Sequence, residues 1–151
     1  MLPNPKRLTV GTDAQRLTML LAILHRHVTL STYDQDVFLN AVGGIKISET
    51  ASDLAVLIAI VSSMTNQAVS SKTAIFGEVG LGGEIRPVSR GQERIKEASK
   101  LGFTRIIVPL KNKAADIPDV EIIGVDNLRD AVKVVFGSNR VNHDDQVYPD
   151  E

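Results

Sequence analysis

The sequence predicts a single α+β domain, on three observations. Segments of helical and of strand periodicity are interspersed without the regular alternation of a doubly wound sheet. The 151 residues fit one domain, able to bury roughly 70% of the surface of its unfolded chain without metal or disulfide staples. Hydrophobic residues make up 43% and charged residues 23%, which excludes disordered, collagen-like and coiled-coil chains.

Taken in order, the elements run as follows. Thr12 with Gln15 three residues on forms a capping box, and Leu17, Leu20, Leu21, Leu24 and Val28 then recur at helical spacing. After a polar turn around Ser31 to Asp34, the β-branched segment Asp36 to Ile47 reads as a strand with a bend or bulge at Gly43 and Gly44. Thr50 is placed to cap a second helix, and Leu54 to Val61 is apolar on every side, which puts that helix at the centre of the fold. Ser52 and Asp53 are expected to help cap its N-terminus.

Thr73 to Val79 and Glu84 to Arg86 read as a strand pair around the turn glycines Gly80, Gly82 and Gly83. Ser89 and Gln92 form a second capping box, for a helix ending at Gly102. Arg105 to Pro109 and Val120 to Val125 are short apolar strands. Asn127 caps a last helix, stopped by Gly137. The domain is expected to span 1–137, and the acidic tail 138–151, which lacks apolar periodicity, to be disordered.

The net charge of −1 hides an uneven distribution. Between Arg86 and Lys113, eight cations face only Glu93 and Glu97, a local charge of +6. That stretch is either a solvated face or the footprint of a polyanion. No cysteine is present, which removes disulfides, thiolate zinc sites and cysteine nucleophiles and fits a cytoplasmic setting. The longest apolar run is too short to span a bilayer and no signal peptide is evident, so no membrane partner is expected.

Several sites are excluded by spacing. In GEVGLGGEIR the glycines of a phosphate loop are present, but Glu84 follows instead of a lysine opening a helix. His25 and His27 stand two apart on a helix and point to nearly opposite sides, His143 lies in the tail, and Asp144 and Asp145 read as solvated charges. No metal site is expected. Serines are plentiful, but none stands in a nucleophile elbow.

The stretches NPKRLTVGTDAQRLTMLLAILHRH, QDVFLNAVGGIKISETASDLAVLIAIVSS and FGEVGLGGEIRPVSRGQERIKEASKLGF closely resemble the C-terminal domain of the bacterial recombination family RadA, also called Sms. The resemblance covers about Asn4 to Phe136. It implies an α+β fold like the proteolytic domain of Lon proteases, of the ribosomal protein S5 domain 2-like kind. It also implies that the chain is a piece of a longer protein, whose zinc finger, ATPase core and KNRFG motif lie elsewhere. ATP, magnesium and zinc would belong to those parts, and this stretch would need no cofactor.

Lon proteases carry their nucleophile in a pattern like DGPSAG and their lysine in one like GEITLRGRVLPIGGLKEK. Matching these to the present sequence places the serine on Ala51 and the lysine on Gln92. Alanine has no nucleophilic atom, and glutamine has no usable base. Ser52 and Lys96 could serve as displaced partners only if both shifts were accommodated, and one residue along a helix turns a side chain by about 100°.

Three readings follow from the resemblance. The first is a proteolytically inactive, Lon-like module of a DNA-dependent ATPase or branch-migration motor acting in DNA repair and recombination. It would support a homo-hexameric ring and contact DNA, single-stranded, without regard to sequence, through Arg86, Arg90, Arg94, Lys96 and Lys100. A recombinase of the RecA type would be a partner of the parent protein. The second is an active Ser/Lys peptidase. The third is a ring-forming domain without DNA contact.

Overall fold

The structure, a computed structural model, describes residues 4–41 and 49–147, the last ten of these in backbone only. The chain opens with strand β1 (Arg7–Val10), helix α1 (Ala14–Val28) and strand β2 (Val37–Asn40). β1 and β2 pair in parallel, Arg7 beside Val37 through Val10 beside Asn40, so α1 is the crossover of a βαβ unit. No strand was expected at Arg7–Val10. The cap of α1 is Asp13 rather than Thr12, its carboxylate accepting from Gln15 N at 3.0 Å. The bend expected at Gly43 and Gly44, and the strand beyond it, lie outside the described residues.

A 3₁₀ turn (Thr50–Ser52) leads into α2 (Asp53–Thr65), which is central as expected: Leu54, Leu57, Ile58 and Val61 are almost fully buried. Neither Thr50 nor Ser52 caps it through a side chain. β3 (Thr73–Ile75) is separated by Phe76 and Gly77 from the next two strands, β4 (Glu78–Val79) and β5 (Ile85–Arg86), which form an antiparallel hairpin. The single strand expected over 73–79 is therefore broken. At Gly77 φ is +155°, and a Cβ would lie 3.1 Å from Ile85 Cγ2, so only glycine turns the chain here without displacing its neighbours. The tight glycine turn itself forms as expected, with Gly80 N donating to Glu84 O at 2.9 Å.

Helix α3 (Gly91–Lys100) is followed by Gly102 in the left-handed region, as its position after the helix predicts. The capping box of Ser89 and Gln92 is not made. The N-cap is Arg90, itself left-handed at φ 59°. β6 (Arg105–Pro109) and β7 (Glu121–Val125) complete a parallel sheet in the order β3-β6-β7. Ile106, Ile107 and Val108 are wholly buried in the middle strand, because both sheet faces are covered. One face joins a core with α1, α2 and α4, and the other packs Ile106, Val108 and Ile122 against Ile95 of α3.

Asn127 caps the last helix, α4 (Leu128–Val147), by accepting from Asp130 N at 2.9 Å. The helix breaks at Gly137 (φ 56°, ψ −156°), where a stop was expected. Of the tail expected to be disordered, residues 138–147 have helical backbone and 148–151 lie outside the described residues. Helices and parallel strands thus combine in a mixed fold compatible with the α+β class. Among the described residues no helix is long and apolar enough to cross a membrane.

Candidate functional site

The residue types singled out by the sequence converge on two places, the entry to α2 and the start of α3. At the first, Ala51 is buried in the 3₁₀ turn. Its carbonyl accepts from Gly77 N at 2.8 Å, while Leu54 N donates to Gly77 O at 3.0 Å. Two reciprocal backbone bonds thus fix the turn against the break between β3 and β4. The side chain presented there is a methyl group, with nothing to attack a carbonyl. Ser52 donates through Oγ to Glu49 O at 2.8 Å, a local bond that engages its hydroxyl.

Asp53 does something sequence reasoning missed. It is 1% exposed, and its carboxylate does not cap α2. It accepts from Arg16 Nε at 3.0 Å, from Arg16 Nη2, and from Val79 N at 3.1 Å. Three elements, α1, α2 and β4, are thereby joined at one carboxylate. The bond to Asp53 holds the Arg16 guanidinium above its usual pKa, although partial burial opposes this. The signal was present in the sequence: an aspartate opening an otherwise apolar buried helix needs a partner. A cleft of 170 Å³ lies over the pair, lined also by Thr12, Asp13, Glu49, Thr50 and Ser52.

At the second place, Gln92 is exposed in the first turn of α3 and donates through Nε2 to Asn112 O at 2.5 Å. Asn112 in turn brackets Val88, accepting from its N–H at 2.9 Å and donating to its carbonyl at 3.1 Å. Gln92 therefore ties α3 to the 3₁₀ turn Leu110–Asn112, and its amide cannot take up a proton. Lys96, one helical turn on, is exposed.

The basic residues are less free than their count suggests. Arg86 donates through Nε and Nη2 to Glu84 Oε2 at 3.0 and 2.7 Å. Arg94 reaches Ser89 O at 3.0 Å and Glu49 Oε1 at 3.2 Å. Arg90 lies 3.8 Å from Glu93. Lys100, like Lys96, is exposed. Glu84 is held below the ordinary carboxylate range by hydrogen bonding from the backbone and from Arg86. His27 donates through Nε2 to Leu81 O at 3.0 Å, and His25 stacks at a tilt against Tyr33. Among the described residues no three His, Cys, Asp or Glu gather as a metal site would require. The side chains of His143, Asp144 and Asp145 lie outside the description.

Residues 18–112 match the family model described as subunit ChlI of Mg-chelatase. Over 136 residues, 89% of its length, the chain is 54% identical to the DNA repair protein RadA of Pseudomonas aeruginosa. It is 53% identical to that of Escherichia coli over 135 residues, and 41% identical to that of Bacillus subtilis over 136. The chain therefore belongs to the family of that model, and it is a homologue of the RadA proteins. It spans about 30% of the length of these relatives.

Proposed function

We propose that the chain is the Lon-like domain of a DNA repair protein of the RadA kind, emptied of peptidase chemistry and used for six-fold assembly and for sequence-independent contact with DNA. The observation that carries the first half is the occupancy of the dyad positions. Ala51 offers a methyl group and Gln92 an amide already donating to Asn112 O, whereas a Ser/Lys peptidase needs a hydroxyl beside an amine that can take its proton. The repair role is carried over from the relatives named DNA repair protein RadA, and the DNA contact is inferred from the family resemblance together with the basic stretch from Arg86 to Lys113. An active peptidase and a ring without DNA contact are the competing readings. The chelatase of the family description is not adopted, because the homologues that cover 89% of the chain carry the repair name.

DNA contact in this reading is made by Arg86, Arg90 and Arg94 with Lys96 and Lys100, to phosphates rather than to bases. Single-stranded DNA is the expected form, a RecA-type recombinase a partner of the whole protein, and the cytoplasm its setting. ATP, magnesium and zinc are assigned to other parts of the parent. Oligonucleotide binding across a salt series tests this. Non-specific affinities of about 10⁻⁴ to 10⁻⁶ M at physiological salt are expected. Changing the three arginines to alanine should weaken binding alike for different sequences and flatten the salt dependence. Unaltered binding by the triple variant would remove these residues from the interface.

A further inference from the structure

Among the described residues, nothing covers the outer face of the two-stranded sheet β1–β2. Its strands alternate between half-buried and exposed residues, and on the exposed side stand Leu8 at 55%, Val10 at 57% and Phe38 at 62%. Leu8 is the register partner of Phe38, and Val10 that of Asn40. Parallel strands ordinarily have both faces covered, and large side chains contiguous on one face are the usual mark of an interaction surface. The same exposed row begins with a charged pair. Lys6 precedes Leu8 by two residues, Asp36 precedes Phe38 by two, and Lys6 N donates to Asp36 Oδ1 at 2.7 Å. The face therefore reads Lys6, Leu8, Val10 along one strand and Asp36, Phe38, Asn40 along the other.

We infer that this face pairs with the same face of a second copy of the chain. Consider a two-fold axis lying in the interface along the strand direction. It lays β1 of one copy over β2 of the other and keeps the strands aligned, as stacked sheets prefer. Lys6 then faces Asp36 of the second copy, Leu8 faces Phe38, and the symmetry repeats each contact once more. Two of the three facing positions are self-complementary, Lys6 with Asp36 in charge and Leu8 with Phe38 in apolar character, while Val10 faces Asn40 at the end of the row. A face shaped for an unrelated partner has no need to match itself. This contact differs from a head-to-tail ring contact, which brings together two different patches, so it goes beyond the assembly proposed above.

Sedimentation of the whole 151-residue chain over a wide concentration range tests the inference. The wild type should self-associate through this face as concentration rises, and Phe38→Ser should weaken that pairing by about a hundredfold, as loss of a central aromatic anchor does. Because Phe38 is exposed, the variant keeps its fold. Lys6→Glu places carboxylates opposite each other and Asp36→Lys places amines opposite each other, so each alone should pair poorly. An equimolar mixture of the two restores both opposite-charge contacts and should pair as the wild type does. A wild type that stays monomeric at millimolar concentration overturns the inference. So does pairing indifferent to Phe38→Ser, or a mixture no better than its components. Hexamers that survive Phe38→Ser would uphold the ring while placing its contacts elsewhere. A dimer lost in Phe38→Ser stands even where DNA binding fails.

Discussion

The guanidinium of Arg16 closes on the carboxylate of Asp53 across 37 positions of sequence, and the same carboxylate accepts the N–H of Val79. The pair sets the entry of α2 against α1 and β4. A buried carboxylate stripped of its cation is costly, so Arg16→Ala should destabilise the domain by about 3 kcal/mol in denaturant titration. Replacing both partners, as Arg16→Met with Asp53→Leu, removes the stranded charge but orphans Val79 N–H. That double variant should still lose about 1–3 kcal/mol. If Arg16→Ala is neutral, the ion pair does not hold the helix.

Glu84 supplies a pH dependence of known sign. Its folded-state pKa lies below the ordinary carboxylate value, through backbone hydrogen bonds and Arg86. The unfolded chain therefore takes up the proton first, and the contribution of Glu84 is complete above the usual carboxylate range. It fades as pH falls through the lower folded value. A carboxyl titration followed by NMR should place Glu84 below the ordinary glutamate value, and Arg86→Ala should move it upward. An unmoved Glu84 would show that Arg86 plays no part.

The dyad positions give a third expectation. Neither the wild type nor Ala51→Ser with Gln92→Lys should cleave casein or a fluorogenic peptide. In the double variant the new lysine would stand in the first turn of α3, where the present side chain is exposed and no burial lowers an amine toward neutrality. Loss of a nucleophile alone can cost on the order of a millionfold. Wild-type turnover abolished by Ser52→Ala would overturn the empty-peptidase reading.

Local pattern disclosed part of this architecture and non-local pairing the rest. Arg105–Pro109 was legible because a short apolar run bounded by polar residues and proline has few other uses. Asn127 was legible because its cap is made within three residues. β1 was missed because four residues, Arg7–Val10, become a strand only by pairing with Val37–Asn40 some 30 positions later. Asp53 was misread as a cap because the spacing fits one, while its cation stands on another helix. The capping box at Ser89 failed for a backbone reason, the left-handed Arg90 that intervenes.

Arg90 joins the strain of the fold to its proposed function. It takes φ 59° and ψ 34° at the entry to α3, a conformation that costs a residue with a Cβ about 1 kcal/mol or more. Glycine adopts it freely, at the expense of a more disordered unfolded chain. Arg90→Gly should therefore raise stability by about 0.5 kcal/mol, whereas Arg90→Ala keeps the strain and should bring no gain. Its side chain is 77% exposed, and its nearest charged partner is 3.8 Å away, so packing does not offset the strain. Residues held in such regions concentrate where function requires them, and phosphate contact is the use proposed here. Arg90→Gly and Arg90→Ala should weaken oligonucleotide binding equally while differing in stability. If the glycine variant is more stable and binds DNA as the wild type does, the strained arginine has no part in the interface.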